Sequence, residues 1–421
     1  MENILPKNWV ETNLKNVVNS TKGKKPARLE EFKFEESLPY MDIKALEFNN
    51  INQYADIKSS KSFSKGDVAI VWDGARSGWV SKATSGAIGS TICALTPIKI
   101  NTDYLYYFLL DKYPFINSKA RGVGIPHVDP ILLWSLGFPL PPLAEQKRIA
   151  DKLDVLFGQI EAMRKAADRI PELIKNFRQQ VLTYAVTGKL TEHKGEKRLL
   201  GDLLVDVRYG TSKKSDYEVT GYPVLRIPNI SNGEINSSDL KYAQLEIKEY
   251  TLLSLKEGDI LIIRSNGSIS LVGQCSIVRK EHENYAYAGY LIRIRCNDDL
   301  EPDYINYSLR SESVRVQIIE NAHSTSGVNN INAEQIKQLE IVWYPIIIQQ
   351  EIVRRVQSLF DKIEMIEQSY NRLKTKLDNL PQALLHKAFK GELVEQLPTD
   401  GNAIDLLREI QELKKSVNKK R

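Results

Sequence analysis

Two stretches of the chain carry an apolar residue at every third or fourth position for ten successive positions. The first runs Ile149, Leu153, Leu156, Ile160, Met163, Ala167, Ile170, Ile174, Phe177, Val181. The second runs Ile352, Val356, Leu359, Ile363, Ile366, Tyr370, Leu373, Leu377, Leu380, Leu384. Strictly alternating steps of four and three over more than four heptads are the pattern of a coiled-coil seam. They predict two long helices whose apolar stripes face each other. Gly188 and Gly391 follow the two stretches and supply the left-handed residue that ends a helix. Pro171 and Pro381 fall inside the pattern and are expected to kink or interrupt each helix, since proline removes a donor and crowds the carbonyl four residues back.

The two stretches are copies. Residues 124–192 align without a gap onto 327–395 at a constant offset of 203, with identities that include Leu136/Leu339, Gln146/Gln349, Phe157/Phe360, Asn176/Asn379 and Gly188/Gly391. Upstream the echo is fainter: Lys65-Gly66-Asp67 matches Glu257-Gly258-Asp259, and Asp103-Tyr104-Leu105 matches Asp303-Tyr304-Ile305. The reading is a globule (1–141), a spacer helix (142–194), a second globule (195–342), a second spacer helix (343–401) and a short tail helix (402–421). Each globule reads as mixed α/β. Strands are expected at 67–72, 258–263 and 289–295, and helices at 102–111 and 302–310. The class is α+β: two mixed α/β globules separated by two long antiparallel coiled-coil helices, as a pseudo-two-fold internal repeat. Pro139, Pro141 and Pro142 stiffen the first joint. A returning second helix would lay the tail, with Leu406, Leu407, Ile410 and Leu413 at helical spacing, against the first globule.

Of 421 residues, 42% are apolar and 26% charged, too apolar for a disordered chain. No apolar run approaches the ~20 residues of a membrane span, and the first ten residues hold no signal-like core. Cys93, Cys275 and Cys296 form no C-x-x-C pair, against a disulfide framework or a zinc site. The five histidines (His127, His193, His282, His323, His386) are scattered, so no metal site is expected. His127 follows the loop at Gly122–Gly124 and matches Asn330 of the other copy; a loop contact suits it better than a catalytic base. There is no phosphate-binding G-x-x-x-x-G-K-[ST] loop and no G-x-G-x-x-G after a strand. The residues point to binding, and no catalytic residue is assigned.

The net charge of +5 is uneven, +3 on 1–141 and −4 on 195–342. Basic and polar residues nevertheless cluster in both globules. The first has Lys22, Lys24, Lys25 and Arg28, then Lys58 and Lys61, Arg76 and Lys82, and Lys119 with Arg121. The second has Arg208, Tyr209, Lys213 and Lys214, then Arg226 and Asn229, and Arg264, Asn266 and Ser268. Arginine and lysine suit phosphate and guanine, asparagine the adenine edge, and serine either. These are the candidate DNA contacts. The candidate helix seam is Ile149, Leu153, Leu156, Ile160, Met163, Ile170, Ile174 and Phe177 against Ile352, Val356, Leu359, Ile363, Ile366, Tyr370, Leu373 and Leu377.

With these residues the chain resembles the specificity (S) subunits of type I restriction-modification enzymes over essentially its full length. The resemblance rests on Pro139 to Ile149 (PLPPLAEQKRI) and its degraded copy Tyr344 to Ile352 (YPIIIQQEI), on Tyr222 to Ile230 (YPVLRIPNI), Leu255 to Leu261 (LKEGDIL), and Leu385 to Leu393 (LHKAFKGEL). The second entry lacks the double proline and the glutamate. The resemblance implies a non-catalytic, cytoplasmic DNA-recognition subunit whose two target recognition domains read the unlike halves of a bipartite, asymmetric site in double-stranded DNA. It implies that two modification (M) methyltransferase subunits dock on the spacer helices and methylate adenine N6, and that restriction (R) translocase-nuclease subunits complete the complex. No cofactor is then expected on this chain; S-adenosylmethionine, ATP and Mg belong to the partners. An unbroken helix over 146–186 would span roughly 60 Å at 1.5 Å per residue, against about 34 Å between half-sites on one DNA face.

Overall fold

The computed structural model describes residues 5–82, 85–122, 124–231, 233–325 and 327–418. The chain divides into two compact units, Met1–Ala167 with Leu373–Arg421, and Asp168–Arg372. Each is built on the same plan.

In the first unit the central sheet has four antiparallel strands, β1 (Val18–Lys22), β2 (Val68–Val71), β3 (Val80–Lys82) and β4 (Ile92–Pro97), in the order β1-β4-β2-β3. In the second unit β5 (Leu204–Tyr209), β6 (Ile260–Ile263), β7 (Cys275–Ile277) and β8 (Leu291–Cys296) repeat it as β5-β8-β6-β7. The Gly-Asp pairs of the faint repeat are the turns that launch β2 and β6. Gly66 and Gly258 hold φ of 107° and 84°, where a side chain is disfavoured. The Asp67 and Asp259 carboxylates accept the amides of Ser64 and Lys256, each at 2.8 Å. A two-stranded ribbon closes each unit, Val10–Asn13 with Gly137–Leu140 and Glu196–Leu199 with Glu340–Trp343.

Helix α1 (Thr102–Ser118) covers the first sheet and outruns the expected 102–111. Helices α2 (Leu143–Ala167) and α3 (Ile170–Val186) take the place of the single first spacer helix. Helix α4 (Pro302–Arg310) is the counterpart of α1, and α5 (Ile346–Phe389) is the second spacer helix, unbroken over 44 residues. Helix α6 (Ala403–Asn418) is the tail. In the first unit Leu406 and Ile410 of α6 share a core with Leu105, Phe108, Ile149, Leu153, Leu385 and Phe389. Lys99 and Glu409 pair, and Lys414 donates to the Val18 carbonyl at 3.1 Å. Arg148 of α2 holds the chain before α6, donating to both Asp400 oxygens and to the Glu395 carbonyl.

The two prolines act differently. Pro171 lies in the first turn of α3, where a missing N–H costs nothing, and the first spacer helix is broken at Asp168 and Arg169. Pro381 lies inside α5, which continues through it, so the helix is not interrupted there. The carbonyl that Pro381 leaves without a partner is that of Leu377, four residues back. The Arg164 guanidinium of α2 donates to it at 3.1 Å, replacing the absent N–H. The helices run antiparallel within each unit. In the first, Arg164 meets Leu377 and Asp378; in the second, Arg178 meets Glu367 and Leu190 lies against Arg355.

The break disturbs the expected seam. Ile149, Leu153, Ile160, Ile352, Val356, Ile363 and Leu377 are buried, and Leu156, Ile170, Ile174, Leu359 and Tyr370 are half-buried. Met163, Phe177, Ile366 and Leu373 are 46, 44, 51 and 42% exposed, so these four are not buried seam positions in the chain alone. Among the described residues no helix is long and apolar enough to cross a membrane.

Candidate nucleic-acid interface

Each spacer helix is tied to its globule by the same pair of side chains. Gln146 and Gln349 are fully buried at the first turns of α2 and α5. Gln146 accepts the Asn101 amide at 2.9 Å and donates to the Pro141 carbonyl at 2.9 Å. Gln349 accepts the Glu301 amide at 2.9 Å and donates to the Asp299 and Tyr344 carbonyls at 2.9 and 2.6 Å. Asn101 and Glu301 are the residues that open α1 and α4. Buried Tyr104 and Tyr304 donate to the Pro139 and Val342 carbonyls at 2.8 and 2.5 Å. Phe157 and Phe360 pack on Tyr107 and Tyr307 with ring centroids 5.4 and 5.8 Å apart. The glutamine of the helix entry therefore fixes the angle at which each globule leaves its helix, by satisfying backbone groups that burial would otherwise strand.

The candidate residues of the first globule separate into paired and free groups. Lys22 pairs with Asp73 at 3.0 Å and lies 4.7 Å from the Trp72 ring centroid. Arg28 pairs with Glu30 and stacks over Phe34, Lys58 pairs with Glu36, and Arg76 pairs with Glu47. Arg121 pairs with Asp129 at 2.5 Å. Lys24, Lys25, Lys61 and Lys119 are exposed with no partner among the described residues. Lys82 has a different job. It bridges Asp103 of α1 at 2.9 Å and Asp154 of α2 at 3.4 Å. Burial works against its charge, but hydrogen bonds and charges from both aspartates outweigh this and raise its pKa. It is a strut between sheet and helices, with its charge already matched.

In the second globule Tyr209, Arg264, Asn266 and Ser268 come together. The Arg264 guanidinium lies 4.6 Å from the Tyr209 ring centroid and donates through Nε to Asn330 Oδ1 at 3.3 Å. Asn266 Oδ1 accepts the Ser268 amide at 2.8 Å, and Asn329 donates to the Gly267 carbonyl at 3.1 Å. Arg208 leans on Asp206, Lys213 on Glu249, and Lys214 is exposed without a partner among the described residues. Asn229 does not fit the expectation of a base contact. It is 1% exposed, its Oδ1 accepts the Arg226 amide, and its Nδ2 donates to the Asn236 and Asp239 carbonyls. Every polar atom of that amide is spent on backbone, so it shapes the loop. Arg226 pairs with Asp239, whose carboxyl is held below its ordinary value by the Tyr217 hydroxyl first and by Arg226 second.

Residue patterns alone passed over Trp72, Asp73, Asn329 and Asn330. Counting from the Gly-Asp turns would have found the first of these: Trp72 follows Gly66, as Arg264 follows Gly258, by six residues. His127 bridges Asp73 and Arg121 through its backbone. Val123 of the adjoining loop and the His323 side chain lie outside the described set. Among the described residues no group of His, Cys, Asp and Glu is placed to hold a metal ion.

Known proteins share this architecture. The chain is 33% identical over 359 residues to the type I restriction enzyme EcoKI specificity subunit of Escherichia coli strain K12, covering 81% of this chain and 77% of that one. It is 30% identical over 358 residues to the StySPI specificity subunit of Salmonella potsdam, with the same coverage of 81% and 77%. The crystal structure of the HsdS subunit from Thermoanaerobacter tengcongensis superimposes with a TM-score of 0.65 at 19% identity, covering 92% of this chain and 98% of that one, and so shares the fold. A model of the type I restriction modification DNA specificity domain matches residues 6–172 and again 194–375, one copy for each repeat, and the chain belongs to that family.

Proposed function

We propose that this chain is the non-catalytic recognition subunit of a type I restriction-modification complex, reading a bipartite, asymmetric target in double-stranded DNA with two recognition domains. The observation that carries the reading is the duplicated specificity domain, matched at 6–172 and 194–375. The domains would be 1–141 and 195–342, the spacer helices 142–194 and 343–401, and the tail helix 402–421. The globules differ in sequence, so the two half-sites would differ too. Free lysines (Lys24, Lys25, Lys61, Lys119, Lys214) supply phosphate contacts, and the paired cations would keep or exchange their acidic partners on binding. A net charge of only +5 and a net-acidic second globule would make the chain alone a weak, salt-sensitive DNA binder.

Methyltransferase subunits would dock on the spacer helices. Exposed apolar Val155 and Met163 on α2, Leu173 and Phe177 on α3, and Met365 and Ile366 on α5 support this. S-adenosylmethionine, ATP and Mg would be bound by the methyltransferase and restriction subunits, in a cytoplasmic complex. The test is a mobility-shift assay of the chain with its methyltransferase partner on random duplexes. Selection of one two-part sequence supports the reading. Methylation or cleavage by the purified chain alone, or binding without sequence preference, overturns it.

A further inference from the structure

We propose that the far end of β2 in the first unit and of β6 in the second is the base-reading station of each recognition domain, and that Arg264 in the second station reads a guanine. The inference rests on the DNA-recognition reading above and deepens it. Its basis is strand register. Lys22 of β1 faces Cys93 of β4, which faces Ile70 of β2. Tyr209 of β5 faces Ile292 of β8, which faces Ile262 of β6. These are the same rung of equivalent sheets. Two residues beyond Ile70 stands Trp72, and two beyond Ile262 stands Arg264. At one place in both units, then, a cation sits on an aromatic ring: Lys22 at 4.7 Å from Trp72, Arg264 at 4.6 Å from Tyr209. The strands that carry cation and ring are exchanged between the units.

The likeness extends one step further. Asp73 bridges His127, and Ser265 pairs with Asn330; His127 and Asn330 are equivalent at the repeat offset of 203. Each cation also has an oxygen acceptor at this step, Asp73 for Lys22 at 3.0 Å and Asn330 for Arg264 at 3.3 Å. The sheets do not need this arrangement to hold together. Ile70 and Ile262 are already fully buried beneath it, and a cation–π pair near solvent adds little stability of its own. What recurs is a presentation: a positive group fixed in direction by a ring and an acceptor, at the solvent edge of each domain.

The two stations differ in what they offer. Asn330 is neutral, so Arg264 keeps its full charge. Its Nε is anchored, its plane is fixed by Tyr209, and its two terminal nitrogens have no partner among the described residues. A guanidinium held in this way donates a parallel pair of hydrogen bonds, the geometry that matches O6 and N7 of guanine in the major groove. In the first station Asp73 neutralises Lys22, placing a donor beside an acceptor. That is a different pattern for a different base pair, as unlike half-sites require.

The experiment uses the complex of the full chain with its methyltransferase partner. Its target is first defined by sequencing methylated DNA, and each guanine of the target is then replaced in turn by 7-deazaguanine in a binding competition. At one guanine the wild-type complex should lose about 5- to 150-fold in affinity. Arg264→Ala should bind the natural and 7-deaza duplexes equally there while discriminating as before elsewhere. Arg264→Met, which keeps the length of the stem but has no hydrogen-bond donor, should behave alike and stands in if the alanine variant is misfolded by circular dichroism. A target without guanine, or Arg264 variants that keep wild-type discrimination at every guanine, overturns the assignment. A wild-type complex with no sequence preference instead refutes the underlying DNA-recognition reading.

Discussion

Replacing Gln146 by alanine strands two backbone groups in the interior. The Asn101 amide loses its acceptor and the Pro141 carbonyl loses its donor, both at 2.9 Å in the intact chain. Each buried group left unpaired costs about 1–3 kcal/mol. The substitution should therefore destabilise the first unit by roughly 2–5 kcal/mol, with overlap between the two losses included. Gln146→Leu separates hydrogen bonding from packing: it refills the volume but leaves both groups unpaired, so it should be nearly as harmful. The readout is amide hydrogen exchange across the whole chain, which reports opening locally rather than as one average. Exchange should accelerate in α1, which Asn101 opens, while α4 keeps its protection. Gln349→Ala should do the reverse, loosening α4 and sparing α1, because its partners are Glu301, Asp299 and Tyr344. Stability restored by leucine, or either variant loosening both helices alike, would refute the account of the joint.

Arg164→Ala should cost about 1–2 kcal/mol, because it bares the Leu377 carbonyl that Pro381 cannot serve. In a Pro381→Ala background, where a helical N–H returns, urea denaturation should show most of that loss gone. Arg148 holds the Asp400 carboxyl below its ordinary value through their hydrogen bond. A depressed carboxyl contributes stability that is complete above its unfolded pKa and lost as pH falls through the folded one. Protease resistance of the tail helix should thus decline below about pH 4, and Asp400→Asn should show the weakened tail already at neutral pH. Exchanging residues 195–342 for the corresponding globule of another specificity subunit should change one half of the methylated motif and leave the other.

Much of this fold could be read from the chain because two of its signals are local. Heptad spacing marks the spacer helices residue by residue, and identities at one offset reveal the repeat. The break at Asp168–Arg169 and the continuity through Pro381 were not both readable, since the second depends on Arg164, more than 200 residues from the carbonyl it satisfies. Gln146 and Gln349 were visible as a matched pair, but their partners at Asn101 and Glu301 are set by tertiary packing. The recognition surface was the least legible part. Asn229 looks like a base reader by residue type, and only its three backbone partners show otherwise. Lys22 and Trp72 share no identity with Tyr209 and Arg264. Cation and ring have changed strands, so a comparison of letters misses what a comparison of rungs displays.

The most direct test of the central claim is methylome sequencing of cells that express this chain with its methyltransferase partner, beside cells carrying the partner alone. The account predicts adenine methylation confined to one two-part motif with unlike halves and a fixed gap, appearing only when this chain is present. Methylation at an undivided or symmetric motif, or the same pattern without the chain, would contradict it.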